Sequence, residues 1–170
     1  MQIKNSILII GQCGSGKTWL CKQLIKQYKL DQSCKIKTIH FKSDGQISVM
    51  GKFVGDVFDG TDRLSMSVMK DINSLEYVQK KHNMLIIAEG DRFMNKTFIN
   101  KFNPFILKIN DDGTKGRKLR NSQQTERQIK TIRTRVKNIQ HNKEVKNSDN
   151  ALEFLKEQIN IFKNGNIKPS

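Results

Sequence analysis

Eight consecutive residues near the start of the chain have the types and the spacing of a phosphate-binding loop. Gly11-Gln12-Cys13-Gly14-Ser15-Gly16-Lys17-Thr18 fits the pattern Gly-x-x-x-x-Gly-Lys-Thr. Glycines let backbone N–H groups surround phosphate oxygens, and a helix that begins there directs its positive end at them. Lys17 adds a mobile positive charge, and the Thr18 hydroxyl is a ligand for Mg²⁺. We therefore expect ATP and Mg²⁺ to be bound by Gly11, Gly14, Ser15, Gly16, Lys17 and Thr18.

A glycine-rich turn that only connects a strand to a helix is the alternative. It would not require a lysine and a threonine directly after the last glycine. The residues on each side support the first interpretation, because the apolar run at 7–10 is typical of a buried parallel strand. Apolar residues from Trp19 to Tyr28 recur at helical spacing.

Three further carboxylates are candidates for metal binding or proton transfer. The apolar run at 84–88 ends in Glu89-Gly90-Asp91-Arg92, as expected for a central strand that delivers carboxylates to its carboxyl end. Glu89 is placed to hold Mg²⁺ or to accept a proton, and Asp91 has the same options. Phosphoryl transfer also needs positive charge near the phosphates, for which Arg92 is a candidate. A helix start or an Asp91–Arg92 ion pair is the structural alternative.

The third carboxylate, Asp62, lies in a compact polar turn at 58–65. A helix cap and a catalytic base are equally consistent with this position.

Basic residues are concentrated between positions 115 and 146, where eleven Lys or Arg accompany two Glu. Gly113 and Gly116 are expected to hinge a lid that brings Arg117 and Arg120 over the triphosphate. The helix that follows carries basic residues on one face, suited to a phosphate backbone. The predicted nucleic-acid contacts are Arg63, Arg127, Lys130, Arg133 and Lys137. A solvated basic helix face is the alternative.

The elements that position these residues alternate between short apolar runs and amphipathic stretches, which is typical of an α/β fold. We predict one domain over residues 1–170, with a basic lid and helix at about 111–141. Strands are expected at about 4–10, 35–42, 46–53, 84–88 and 105–109. Helices are expected at about 17–29, 63–81, 95–102 and 124–141, the third of them capped by Asn95. A charged loop is expected at about 110–121, and a last helix is expected to be capped by Asn150 with Glu153 and ended by Gly165.

Composition adds a prediction about partners. Thirty-one Lys and Arg against sixteen Asp and Glu give a formal net charge of +15, which suits a polyanion such as DNA. An AT-rich coding bias, which favours Lys and Asn codons, is the alternative. Three cysteines without paired spacing indicate neither disulfides nor a structural metal, and they fit a reducing cytoplasm. We expect no signal peptide and no membrane span; the oligomeric state stays open.

Several segments together resemble a known family. They are Gly51-Lys52-Phe53, the run Gly60-Thr61-Asp62-Arg63-Leu64-Ser65-Met66, the strand ending in Glu89 to Arg92, and the basic stretch at 123–138. The chain resembles the 5-hydroxymethyluracil DNA kinases of bacteriophages, which are P-loop kinases.

This resemblance implies an adenylate-kinase-like P-loop fold, three α/β/α layers around a mainly parallel sheet. It also implies transfer of the ATP γ-phosphate to the 5-hydroxymethyl group of a modified base in DNA, in the cytoplasm of the phage's host. Asp62 is then the expected base, and the turn at 60–65 helps form the acceptor pocket. Because such an enzyme extrudes its target base, Phe53, Phe58 and Phe93 are candidates to stack on it, with packing in the core as the alternative for each ring.

Two other functions remain open at this stage. A small-molecule kinase for nucleosides or nucleoside monophosphates has a similar size and loop order. A DNA-binding ATPase that transfers phosphate only to water is the other.

Overall fold

The computed structural model describes residues 4–55 and 59–166. In chain order its elements are β1 (Ser6–Gly11), α1 (Lys17–Gln27), β2 (Gln32–Ile36), β3 (Ile39–Ser43), β4 (Ile47–Met50), α2 (Ile72–His82), β5 (Leu85–Glu89), α3 (Lys96–Phe102), β6 (Phe105–Ile109), α4 (Thr114–Leu119), α5 (Glu126–Asn138), β7 (Lys143–Val145) and α6 (Ser148–Gly165). Short 3₁₀ turns at Thr61–Arg63 and Val68–Asp71 precede α2.

The described strands form one sheet in the order β2-β3-β4-β5-β1-β6-β7. β1 pairs in parallel with β5 on one side and with β6 on the other, so that Leu8 lies opposite Ala88 and Ile106. The β4–β5 and β6–β7 pairs are also parallel. Only β3 runs antiparallel to its neighbours β2 and β4 within the described chain. The predicted α/β class with a mainly parallel sheet is confirmed.

Helices cover both faces of this sheet. Along β1, Ile7 and Ile9 pack toward α1 and α6, whereas Leu8 and Ile10 pack toward α2, α3 and α5. Side chains alternate between the two faces of a strand, so an unbroken apolar run must be buried on both. The result is a three-layer arrangement with β1 at its centre.

The second predicted strand, at 35–42, is wrong as a single element. Residues 32–43 form a hairpin, β2 and β3, in which Ile36 lies opposite Ile39. Lys37 adopts a positive φ of 54° at the turn. The Thr38 backbone N–H donates to Asp71 Oδ2 at 3.0 Å, and the Thr38 hydroxyl donates to the same oxygen. A residue far along the chain thus stabilises a turn that has no glycine.

The long helix predicted at 63–81 starts later than expected. Leu64 is extended, with φ −78° and ψ 153°, and α2 begins only at Ile72. Leu64, Val68, Ile72 and Leu75 are nevertheless buried, as the helical spacing predicts. Apolar spacing therefore identified the core residues but not the backbone that carries them.

Toward the end of the chain two elements differ from the predictions. The segment predicted as a loop at 110–121 contains α4, and the charged strand β7 was missed. Asn147, rather than Asn150, caps α6, because Asn147 Oδ1 accepts the Asn150 backbone N–H at 2.9 Å. The predicted cap of α3 by Asn95 is confirmed, and α6 ends at Gly165 as predicted.

Candidate functional site

A cleft of about 730 Å³ opens at the carboxyl ends of β1 and β5. In parallel sheets these strand ends are where ligands bind, because loops there diverge and leave a crevice. Its walls come from the loop after β1, the first turns of α1, the end of β5, the 3₁₀ turn at Thr61–Arg63, α4 and α5. Its lining includes Gly11, Gly14, Gly16, Lys17, Thr18, Trp19, Asp62, Glu89, Asp91 and Arg120. Residues far apart in sequence are therefore brought to one place.

The loop from Gly11 to Gly16, here the glycine-rich loop, has the backbone that an anion cradle needs. Gly14 and Gly16 have φ of 85° and 91°, values that side-chain-bearing residues rarely adopt. Gly16 is the N-cap of α1 and supplies no side-chain acceptor, so the first N–H groups of that helix lack a side-chain cap. Ser15 Oγ is buried and has no hydrogen-bond partner among the described residues. An anion placed there would meet unpaired donors.

Lys17 extends along this loop. Its Nζ donates to the carbonyl oxygens of Gly11 at 3.0 Å and Gln12 at 2.9 Å, while the side chain lines the cleft. The ammonium group is thus held at the carboxyl end of β1. Glu89 lies at the corresponding end of β5, the strand that pairs with β1.

Thr18 and Glu89 converge at Gly60. A Cβ atom placed on Gly60 would lie 3.1 Å from Glu89 Oε1 and 3.6 Å from Thr18 Oγ1. The Thr61 hydroxyl donates to the Glu89 backbone oxygen at 2.9 Å and lies 3.3 Å from Glu89 Oε1. A hydroxyl and a carboxylate that lie close together are suitable oxygen ligands for Mg²⁺, which keeps several waters when bound.

Glu89 is the most buried of the candidate carboxylates, with 4% of its surface exposed. Burial raises the pKa of Glu89 above its ordinary value; Lys17 opposes this shift and the negative charge of Asp62 adds to it. A divalent cation at this position would offset the cost of the buried charge.

Asp62 and Asp91 also reach the cleft, in different environments. Asp62 is exposed on the 3₁₀ turn. Asp91 forms an ion pair with Arg135 of α5, and Arg92 Nη1 lies 3.9 Å from Asp91 Oδ2. Arg92 Nε donates to the Leu64 backbone oxygen at 3.3 Å. Asp91 and Arg92 thus join β5 to neighbouring segments, whereas Asp62 faces the cleft.

Arg117 and Arg120 lie on α4 and just after it. Arg117 Nη1 donates to the backbone oxygens of Cys13 at 2.7 Å and Asp112 at 2.9 Å. Arg120 lines the cleft. The two predicted hinge glycines are instead places of close approach, because a Cβ on Gly113 would lie 1.8 Å from the Cys13 oxygen and one on Gly116 would lie 2.0 Å from the Gly14 oxygen. α4 is docked against the glycine-rich loop.

A buried carboxylate that sequence reasoning missed organises the opposite wall. Asp59 is 2% exposed and accepts the backbone N–H groups of Val54 at 3.0 Å and Gly55 at 2.8 Å. Lys22 Nζ lies 3.3 Å and Arg63 Nε 3.5 Å from its oxygens. Arg63, predicted to bind nucleic acid, therefore contacts this aspartate. The Lys22 contact spans two distant segments, so no local spacing signals it.

The predicted basic face lies on α5. Arg127, Lys130, Arg133 and Lys137 are all exposed, while Ile132 and Gln128 of the same helix line the cleft. In the described part of the chain, none of these four cations lies within ion-pair distance of a carboxylate. These four exposed cations thus lie on the helix whose other side lines the cleft with Gln128 and Ile132.

Neither of the two stacking candidates that the structure describes, Phe53 and Phe93, is among the residues that line the cleft. Phe93 is fully buried and packs edge-to-face on Phe98 at a centroid distance of 5.2 Å. Phe53 is half-buried against the core, and Phe58 lies outside the described residues. Core packing explains both described rings, so the aromatic surface of the cleft is Trp19 instead.

Three broader observations complete the description. Across residues 4–55 and 59–166, no helix is long and apolar enough to cross a membrane. The same residues contain no group of three or more His, Cys, Asp or Glu arranged to hold a metal ion. In comparisons with known proteins, no family model matches the chain, and no curated protein shows significant similarity to it.

Proposed function

We propose that the protein is an ATP-dependent kinase that phosphorylates the 5-hydroxymethyl group of 5-hydroxymethyluracil in DNA, on an adenylate-kinase-like P-loop fold. The observation that carries this proposal is the convergence of the Thr18 hydroxyl and the Glu89 carboxylate at Gly60, beside Lys17 and a loop with uncapped helix N–H groups. Phosphoryl transfer needs positioning and charge neutralisation more than covalent chemistry. This arrangement has groups for both.

In the proposed reaction the amides of the glycine-rich loop and Lys17 bind the triphosphate. Thr18 and Glu89 would hold Mg²⁺, which would supply positive charge to neutralise the phosphate oxygens. The acceptor oxygen forms a bond to the γ-phosphorus as the bond from that phosphorus to the β,γ-bridging oxygen breaks, and ADP leaves. Asp62 accepts the hydroxyl proton, because it is the carboxylate that faces the cleft without the Arg135 partner that Asp91 has.

The preference for a polymer rests on charge outside the cleft. A kinase for free nucleosides gains little from a net charge of +15, whereas a DNA-bound acceptor is attracted by it. The four exposed cations of α5 lie on a helix that also contributes Gln128 and Ile132 to the cleft lining, so DNA held by this helix would be close to the site.

A small-molecule kinase for nucleosides or their monophosphates is the second candidate. The cleft volume of about 730 Å³ favours it, because this is the size of typical small-ligand sites. The two candidates differ in the acceptor and not in the chemistry.

One experiment separates these functions. γ-Labelled ATP is supplied with 5-hydroxymethyluracil DNA, with thymine DNA of the same sequence and with the free nucleosides, and the products are digested and identified. We expect label on the modified base in DNA only. Faster labelling of a free nucleoside or monophosphate would replace the proposal with the second candidate. DNA-stimulated phosphate release without labelled DNA would indicate an ATPase.

Lys17→Ala provides the control for the site. We expect it to lower transfer by at least about 100-fold, as removal of a charge-stabilising group does, and to retain most of the DNA affinity. Lys26→Ala, on an exposed position of the same helix, is the matched variant and should retain both. Undiminished transfer by Lys17→Ala would contradict the proposed site.

A further inference from the structure

The only tryptophan in the sequence lies in the cleft with much of its ring uncovered. Trp19 is in the first turn of α1, lines the cleft, and is 41% exposed. A large aromatic side chain usually buries most of its surface, since each such ring removes a large apolar area from water. An indole left open in a cleft that also contains Lys17, Asp62 and Glu89 is therefore a surface available to a flat, partly apolar ligand.

The direction that Trp19 faces follows from its neighbours on α1. Lys22 is one helical turn from Trp19 and also lines the cleft. Lys22 Nζ lies 3.3 Å from Asp59 Oδ2, and Thr18 adjoins Gly60. This side of α1 therefore faces the segment that carries Asp62. α4, with Arg117 and Arg120, lies instead against Cys13 and Gly14.

Resting on the proposed function, we propose that the indole of Trp19 is the surface on which the nucleobase that carries the acceptor hydroxyl stacks. A base extruded from a duplex loses its stacking partners, and an aromatic side chain replaces them without reading the sequence. Asp62 approaches the cleft from the wall that this side of α1 faces, so a base on Trp19 presents its substituent toward Asp62. The α4 wall is left for the nucleoside of ATP.

Because Trp19 is the only tryptophan, its fluorescence reports on this contact directly. Emission is measured in the unmodified protein, in which no transfer occurs because no hydrolysable nucleotide is added, during titration with three ligands. They are a nonhydrolysable ATP analogue with Mg²⁺, an oligonucleotide with one 5-hydroxymethyluracil, and the same oligonucleotide with an abasic site there. We expect the modified oligonucleotide to quench the emission of Trp19 and the abasic oligonucleotide to quench it little. The quenching by the modified oligonucleotide should persist when the ATP analogue is present at a saturating concentration. Quenching by the ATP analogue alone would assign the indole to the nucleotide and overturn the inference, as would equal effects of both oligonucleotides.

Kinetic variants give the second test. Trp19→Ala should raise the KM for modified DNA by roughly 5- to 100-fold, the range expected for loss of one base–aromatic stack, with a smaller change in the KM for ATP. Trp19→Phe should recover part of the loss. Tyr77→Ala, an exposed aromatic on α2 away from the cleft, is the matched control and should change neither value. An unchanged KM for DNA in Trp19→Ala would overturn the inference.

Failure of the inference is distinguishable from failure of the proposed function. Labelled DNA with no base-dependent quenching leaves the kinase proposal standing and removes the role of Trp19. Base-dependent quenching without labelled DNA supports the stacking surface and contradicts the kinase activity.

Discussion

At the scale of single residues, burial of the Glu89 carboxyl group suits the proposed metal site but lowers the stability of the folded protein at neutral pH. Its carboxyl group is buried, and burial raises its pKa above the ordinary value of 4.5. A carboxyl group with a raised pKa in the folded chain is more easily ionised when unfolded. Its contribution to stability is therefore fully present below pH 4.5 and is lost as the pH rises through the pKa of the folded state.

Replacing Glu89 with the isosteric glutamine should therefore stabilise the protein without bound metal. At pH 7 and with no nucleotide, we expect Glu89→Gln to raise Tm by about 2–4 °C, which corresponds to roughly 1 kcal/mol for a chain of this size. The difference should shrink as the pH falls toward 4.5, because the wild-type carboxyl is then protonated. Phosphoryl transfer should be lost.

Calorimetric unfolding between pH 4.5 and pH 8 measures this effect. Glu144→Gln is the control of opposite sign, since a hydrogen bond from Lys108 lowers the pKa of Glu144. That variant should not gain stability at pH 7. A lower Tm for Glu89→Gln at every pH would mean that the carboxylate stabilises the fold.

The two cleft aspartates should separate in a kinetic comparison. We expect Asp62→Asn to lower kcat by about 10²–10⁴-fold, the usual contribution of a general base. Asp91→Asn should have a much smaller effect, because Asp91 is engaged by Arg135. Single-turnover rates with modified DNA test this, and a larger loss in Asp91→Asn would reverse the assignment.

At the scale of elements, the glycine-rich loop is held by α4. The loop is fixed from the side away from Asp62. It is held by close backbone approach at Gly14, Gly113 and Gly116 and by the hydrogen bond from Arg117 to the Cys13 backbone oxygen. A loop whose amides are already in place loses less entropy when it binds an anion. α4 is therefore a support for the loop.

Gly116→Ala tests this contact. Gly116 is within a helix, where alanine normally stabilises the fold by about 1 kcal/mol relative to glycine. Here we expect the opposite sign, since the new Cβ would lie 2.0 Å from the Gly14 oxygen. The variant should lose stability and bind ATP more weakly, measured by thermal unfolding and calorimetric titration.

The matched control is Gly165→Ala at the end of α6, where a Cβ would meet no atom within 4 Å. Its stability should be unchanged or slightly higher. If Gly116→Ala behaved in the same way, α4 would be free of the loop.

At the scale of the whole molecule, the excess of positive charge makes a prediction about the proposed DNA substrate. The net charge of +15 would attract DNA at long range, while the four exposed cations of α5 are candidates for local contacts. Long-range attraction and local contacts both release counterions from DNA, so affinity depends on salt.

In a plot of the logarithm of the affinity for duplex DNA against the logarithm of the salt concentration, we expect a slope of about −3.6. This value assumes that each of the four cations of α5 neutralises one phosphate. Lys130→Gln with Lys137→Gln should reduce the magnitude of this slope by about 1.8. Lys26→Gln with Lys35→Gln, exposed elsewhere, is the matched control and should leave it unchanged. Equal slopes for both double variants would place the DNA on another surface.

The sequence by itself determined the central strands and the glycine-rich loop. The unbroken apolar runs at 7–10 and 84–88 are buried on both faces of the sheet, as is most of the run at 105–109. Gly14 and Gly16 adopt a backbone that few other residues adopt. These features depend on local chemistry, so local patterns are sufficient to find them.

The tertiary structure decided which residues meet. It paired Asp71 with Thr38, Asp91 with Arg135 and Lys22 with Asp59, and it buried Phe93 while leaving Trp19 open to the cleft. Contacts between segments far apart in sequence depend on how strands and helices pack, and spacing along the chain carries no record of that geometry. Hence the sequence identified Asp62, Glu89 and Asp91 as candidates, but it indicated neither their separate environments nor the buried Asp59.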